Sequence, residues 1–382
     1  MASMGMDLEV CRAAVRAVMQ FMTKWDLNKI EEAFAAAAID PSRWSDALDC
    51  ISTQTEACGT LLLPVTGNHI PNVPATEGLA RAVEAYFADE WYLRDIRYNA
   101  APKLIRTGLM DDFDCVAIEK INRDPYYQEF LAPAGLRWFA GVKMQAGDDV
   151  WCVSINRKAN QEPFSTDEKQ KLTQLSRAFS AAAALAKALG FAASNAALEA
   201  FDVSGTAAVL LDRQAEVVRT NRAADKLLGG EVRITGKRLT AMDPAATGAL
   251  GRALHSLLWS NSGSTLMPAV ALPRAHQPPI LAYPLKIPSL TVNVLADAQA
   301  AVVLVDPGAR RKTPETHLQR AFQLTPAEAR LASHMAMGNP LDKICDRLGI
   351  SKETGRNHLK SIFAKMGISR QAELVLLMSK ML

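Results

Sequence analysis

Lys352, Thr354, Arg356, Asn357 and Lys360 lie in one short stretch, "SKETGRNHLK", that reads as helix. At about 100° per residue that helix has two faces. Gly355, Leu359, Ile362, Phe363 and Met366 fall on one face, and Glu353, Arg356, Asn357 and Lys360 on the other. Arginine and lysine pair with phosphate or guanine, and an asparagine amide matches the adenine edge. The bland reading of this pattern is a solvated surface face. The sharper one is a helix that reads DNA. Gly355 is out of place on either reading, because a glycine inside a helix costs about 1 kcal/mol relative to alanine.

A second concentration of chemistry lies upstream. Twelve of the 24 aromatic residues fall within residues 86–151, with Arg94, Asp95, Arg97 and Arg137 interleaved. Ligand pockets are mostly apolar with a few placed polar groups, so this segment is the candidate sensor cavity. The candidate effector-binding residues are Trp91, Tyr92, Arg94, Tyr126, Tyr127 and Trp138. Against this stands the reading in which the aromatics are core and the arginines form surface pairs.

The charge balance separates the two regions. The chain of 382 residues has a net charge of +3, but residues 310–382 hold 13 Lys+Arg against 6 Asp+Glu, a surplus of +7. The remainder has 30 against 34, or −4. A basic module on an acidic body is the electrostatic footprint expected where one end meets nucleic acid. The length allows two or three domains.

The elements that must position these residues follow from local signals. Residues 7–60 read as helical up to the breaker Gly59, and "TLLLPV" (60–65) reads as a buried strand. "GVKMQAGDDVWCVSINR" (141–157) reads as a hairpin. Ser165 and Glu168 form a capping box for a long helix over 164–189 that Gly190 is expected to interrupt, with helical character resuming to Phe201 as a connector between two modules. Residues 272–289, rich in proline, read as a long loop and edge strand, and "MDDFD" (110–114) as a loop. In the last module Thr325 caps a helix with Pro326 at its first position and Glu328 three residues on. A second helix ends at Gly349, Ser351 caps a third that stops at Gly367, and "RQAELVLLMSKM" is a fourth. A tight turn, "LGIS", between the second and third is the signature of a helix-turn-helix.

This module closely resembles the LuxR-type (NarL/GerE-like) DNA-binding domain. Leu324, Thr325, Glu328, Gly338, Ile344, Leu348, Ile350, Ser351, Thr354, His358, Leu359, Lys365, Gly367 and Arg370 carry the resemblance. It implies that Lys352, Thr354, Arg356, Asn357 and Lys360 lie at or near the groove and that the fourth helix pairs two DNA-bound copies. Three positions depart from the family: Lys343 where glutamate is common, Cys345 for alanine and Gly355 for valine. Upstream, "GTAAVLLDRQAEVVRTNRAADKLLGG" (205–230) resembles a PAS domain, and "WYLRDIRY", "DPYYQEFLAPAGLRWFAGV" and "WCVSINR" resemble a GAF-like sensor.

The expectation is a multidomain α+β chain: a GAF-like sensor over residues 1–190 with a long C-terminal connector helix, a PAS-like domain over 191–306, a hinge over 307–321 and an all-α helix-turn-helix domain over 322–382. The two sensors are expected to be built on antiparallel sheets. The expected function is a homodimeric regulator on a two-fold-related site in double-stranded DNA, modulated by a small-molecule effector, with RNA polymerase as a further candidate partner. A ligand-independent regulator whose front domains only dimerise is the runner-up. An acyl-homoserine lactone receptor is a further alternative, but one sensor domain leaves half of residues 1–310 unexplained. No cofactor or metal is expected, because the six cysteines form no CxxC and the six histidines no HxxxH. No enzymatic activity is expected either: GxSxG and HExxH are absent, and "GGEVRITGKR" fails the phosphate-loop spacing. Glu9, Arg12, Arg16 and Lys24 break the first apolar run, and no run of about 18 apolar residues occurs. Cytoplasmic location, with no membrane partner, is the resulting expectation.

Overall fold

A computed structural model of the chain describes residues 25–66, 73–259, 266–287, 293–309 and 315–379. The helix expected from residue 7 therefore lies partly outside the described residues. Two compact units divide the chain at Val305 and Asp306.

The first unit is built on antiparallel sheets. β1 (Gly59–Pro64), β2 (Leu109–Asp111), β3 (Leu136–Ala146) and β4 (Asp149–Lys158) form a sheet in the order β1-β4-β3-β2. β3 and β4 make the expected hairpin, with Ala146 opposite Asp149, and Gly147 takes the positive φ of +64° that the tight turn needs. A second sheet orders β6 (Val217–Thr220), β5 (Ala207–Leu211), β11 (Ala300–Val305), β10 (Gln277–Leu285) and β9 (Val270–Arg274). β7 (Val232–Thr235) and β8 (Arg238–Ala241) pair separately. The proline-rich stretch is thus not a long loop: its first residues end β9, which is the expected edge strand, and β10 lies inside the sheet. A register shift between Gln277 and Ile280 absorbs Pro278 and Pro279, which have no amide to donate to the ladder.

One helix, Thr166–Val203, serves both sheets. Its capping box is formed as expected: the Glu168 amide donates to Ser165 Oγ at 3.3 Å and the Ser165 amide to Glu168 Oε2 at 2.8 Å. Glu168 also takes a two-pronged bond from the buried Arg157 of β4, at 2.6 and 3.2 Å. The first half of the helix buries Leu172, Leu175 and Phe179 in one core with Val142 and Met144 of β3, and Phe179 stacks on Phe34 at 3.9 Å. Its second half buries Leu198 with Ala208 and Leu210 of β5. Alternate β5 residues, Val209 and Leu211, face the other way into a core with Leu250 and Leu254 of the helix Pro244–Trp259. By length and apolar composition alone the long helix is capable of crossing a bilayer, which its Lys and Glu interruptions concealed in a count of consecutive apolar residues.

Gly190 does not interrupt this helix. The helix runs through it for 38 residues, and a Cβ there would lie 2.7 Å from Ala296 Cβ and 2.9 Å from Asn293 Nδ2. The glycine makes room for a neighbour instead of ending the helix. "MDDFD" is also no loop. Its first two residues complete β2, and Asp111 caps a short helix, Asp112–Cys115, in a full capping box with Asp114.

The second unit is all helix among the described residues: Glu315–Phe322, Pro326–Ala336, Leu341–Leu348, Lys352–Met366 and Gln371–Ser379. The first of these falls largely within the stretch read as a hinge, and its Leu318 is fully buried with Leu331, Ala332 and Met335.

Candidate functional site

The turn between Leu341–Leu348 and Lys352–Met366 is tight for a backbone reason. Gly349 adopts φ +66°, which closes the first helix, and the Ile350 amide returns to the Cys345 carbonyl at 3.1 Å. Ser351 Oγ then accepts from the Thr354 amide at 3.0 Å and starts the second helix. Gly355, Ile362 and Met366 of that helix are buried, and Leu359 and Phe363 pack partly buried against the same core.

Lys352, Thr354, Arg356, Asn357 and Lys360 are all exposed. They differ in how free they are. Thr354 shares a hydrogen bond with Ser351 Oγ at 2.8 Å, and Lys352 pairs with Asp342 on the preceding helix at 3.1 Å. Arg356, Asn357 and Lys360 form no hydrogen bond or ion pair among the described residues, so the outward face carries a guanidinium, an amide and an ammonium available to another molecule. The face is held in place from behind, where Lys365 donates to the buried Glu328 of the capping box at 2.7 Å. Burial alone would raise the Glu328 pKa, but hydrogen bonds from Lys365, Ser361 and Thr325 outweigh it and hold the carboxyl at about 2.

In the first unit, a cavity of about 60 Å³ opens beside β1, β3 and β4. Leu61, Leu63, Leu79, Val83, Phe130 and Leu131 contribute apolar walls, and Tyr86, Asp95, Arg97, Tyr98, Tyr126, Ser154 and Asn156 the polar ones. Asp95 Oδ2 accepts from the hydroxyls of Tyr86 at 3.0 Å and Tyr126 at 2.9 Å, while Oδ1 accepts from the Arg97 amide at 2.9 Å. Burial pushes the Asp95 pKa up, and the Arg97 charge and these three bonds only partly offset it.

Arg97 is 6% exposed and lies over the Phe139 ring at 4.0 Å. Its guanidinium bonds Asn156 Oδ1 at 3.2 Å and Asp112 Oδ1 at 3.3 Å, and Nε has no partner among the described residues. Burial opposes its charge, but Asp112 and the neighbouring Tyr126, Tyr127 and Asp95 hold it charged, with a pKa above the usual arginine value. Asp112 is satisfied on every side, taking the Tyr127 hydroxyl and the Phe139 amide, each at 2.6 Å.

Of the six candidate effector residues, Tyr126 lines this cavity. Tyr127 sits behind it on Asp112. Trp91 is buried against Phe130, with ring centres 5.5 Å apart, and the exposed Arg94 covers Trp91 at 4.0 Å. Tyr92 packs near Tyr86 and Phe87, and Trp138 donates to the Gln161 carbonyl at 3.0 Å. The structure adds Asp95, Arg97, Tyr86 and Asn156 to the wall. The first two stand in the sequence as an acid and a base two residues apart inside an aromatic run; Asn156, on β4, has no such signal.

Residues 323–378 match the model of bacterial regulatory proteins, luxR family. No curated protein matches the chain. Among solved structures, the phage VqmA–DPO complex aligns at 16% identity over 50% of this chain and 90% of its own, with a TM-score of 0.24. SdiA in complex with octanoyl-rac-glycerol aligns at 12% identity over 97% and 93%, with a TM-score of 0.27. The E. coli DhaR(N)–DhaL complex aligns at 12% over 75% and 89%, with a TM-score of 0.24. Scores this low carry no argument about fold or ligand. The family match, on a helix-turn-helix whose second helix presents a free polar face, establishes residues 323–378 as a DNA-binding domain of the luxR family of bacterial regulatory proteins.

Proposed function

We propose that this chain is a transcription regulator whose helix Lys352–Met366 enters the DNA major groove and whose binding is set by a small molecule held in the cavity beside β1, β3 and β4. The observation that carries the first half is the unpartnered outward face of Arg356, Asn357 and Lys360. Lys352 and Thr354, engaged at the helix start, are placed for phosphate. The second half is supported by a polar network of charged and hydroxyl groups at an otherwise apolar cavity. In this reading residues 1–190 form a GAF-like module and 191–306 a PAS-like one, and two copies bind a two-fold-related site.

Fluorescence anisotropy on a selected DNA site and on random DNA tests the recognition face. Lys360→Ala is expected to weaken binding to both and to lower the salt slope by about 1, whereas Asn357→Ala loses about 1–3 kcal/mol on the selected site only. Equal losses on both DNAs for both variants would remove base reading from this face. For the cavity, Ala82→Leu fills space at its wall and is expected to abolish effector-dependent DNA binding while leaving effector-free binding intact; a full response in that variant places the effector elsewhere.

A further inference from the structure

A groove of about 540 Å³ runs along the helix Pro244–Trp259 and shares no lining residue with the cavity beside β1, β3 and β4. Leu239 of β8 and Leu250, Leu254 and Leu258 of the helix line it, and Leu93 and Trp259, 65% and 36% exposed, leave apolar surface open beside them. Its helical lining extends from Thr247 to Trp259, a rise of about 18 Å. Gly251 adds to the space, since nothing lies within 4 Å of a Cβ placed on it.

The charged side chains in this lining are both cations, Arg213 and Arg238, and no carboxylate joins them among the described residues. They come from neighbouring turns: the Val217 amide donates to the Lys237 carbonyl at 2.6 Å, which brings the β5–β6 turn beside the start of β8. Asp212 Oδ1 fixes the first turn by accepting from the amides of Gln214 at 2.9 Å and Glu216 at 2.8 Å. The partly buried Arg213 side chain forms no hydrogen bond or ion pair among the described residues; it lies over the Trp151 ring at 5.1 Å, and its Nη2 is shielded from solvent. The carboxylates that act on it, Asp149, Asp212 and Asp297, line a separate depression with it. Asp149 and Asp297 pair with Lys187, and Asp212 with its own turn. Burial outweighs their field and lowers the Arg213 pKa to about 10, so the group stays charged at neutral pH without compensation.

We propose that this groove binds a medium-chain carboxylate, its head group paired with Arg213 and Arg238 and its alkyl chain laid along Leu250, Leu254 and Leu258. The site is additional to the cavity of the proposed function and does not depend on it. A guanidinium without a carboxylate partner favours an anion that completes its hydrogen bonds. An alcohol of the same length fills the groove but leaves both cations without a counter-ion, and an amine adds a third positive charge. A short carboxylate keeps the charge and loses the apolar contact.

Equilibrium dialysis of the intact protein against micromolar decanoate, 1-decanol, decylammonium and butyrate separates these cases. Decanoate is expected to bind about tenfold or more tightly than decanol, and decylammonium and butyrate not to bind at that concentration. Gly251→Leu places a side chain in the open groove and should abolish decanoate binding. Arg213→Met keeps an apolar contact on Trp151, removes the charge and should weaken decanoate by about tenfold, to the level of decanol. If decanol binds as tightly as decanoate, or decylammonium more tightly, the anion class is wrong. If Gly251→Leu binds decanoate undiminished, the ligand lies elsewhere and the groove assignment falls. Absence of decanoate binding overturns both. The four ligands on the unaltered chain decide the class even if Arg213→Met does not fold.

Discussion

Gly355 approaches Cys345 so closely that a Cβ placed on it would lie well inside van der Waals contact with the Cys345 sulfur, with Leu341 Cδ1 next at 3.4 Å. Cys345 is buried, and its sulfur can move only by turning about the single Cα–Cβ bond within that packed core. Gly355→Ala gains up to about 1 kcal/mol of helix propensity but meets overpacking of about 1–3 kcal/mol. We expect a net loss in the natural background and a gain in Cys345→Ala. A double-mutant cycle on the stability of the C-terminal helices, read by hydrogen exchange, should show a coupling of about 1–2 kcal/mol. Additive effects would mean the helix shifts to admit the methyl group.

Glu328 makes the same module acid-sensitive. Its folded pKa of about 2 lies below the ordinary 4.5, so its contribution is fully present above about pH 4.5 and is lost as the pH falls toward 2. Lys365 is one-third exposed, and solvent screening discounts the contribution to about 1–3 kcal/mol. Hydrogen exchange on peptides from residues 315–379 between pH 5 and 2 should show this loss, and Lys365→Met should flatten it. An unchanged pH profile in the variant would leave the ion pair without thermodynamic weight.

Asp112 holds the cavity floor together by binding Arg97, Tyr127 and the Phe139 amide. Asp112→Ala strands the buried Arg97 charge and is expected to cost about 3–5 kcal/mol, with a smaller loss for Asp112→Asn. Urea unfolding followed by tryptophan emission measures both. A loss below about 1 kcal/mol for the alanine variant would show that water replaces the carboxylate at no cost.

Gly190 and Gly251 provide a matched pair inside helices. A methyl on Gly190 meets Ala296 and Asn293, including the Ala296 Cα at 3.1 Å, whereas nothing lies within 4 Å of one on Gly251. Gly190→Ala should therefore destabilise the first unit by about 1–2 kcal/mol and Gly251→Ala stabilise it by up to about 1 kcal/mol. Gains at both positions would show that the 293–296 segment yields freely.

The helix ends of the last module were determined by the sequence alone. Thr325 with Glu328, Ser351, Gly349 and Gly367 act on backbone groups within a few residues of themselves, and each makes the local bond or positive φ that its type implies. The two faces of the helix Lys352–Met366 follow from the same short-range periodicity. What Gly190 and Gly355 do was decided only by tertiary structure, since both glycines answer to residues remote in sequence, Ala296 and Cys345. The cavity is the extreme case. Asp95, Asp112 and Asn156 come from three separate elements and meet around Arg97, and no spacing along the chain records which carboxylate the Arg97 guanidinium pairs with.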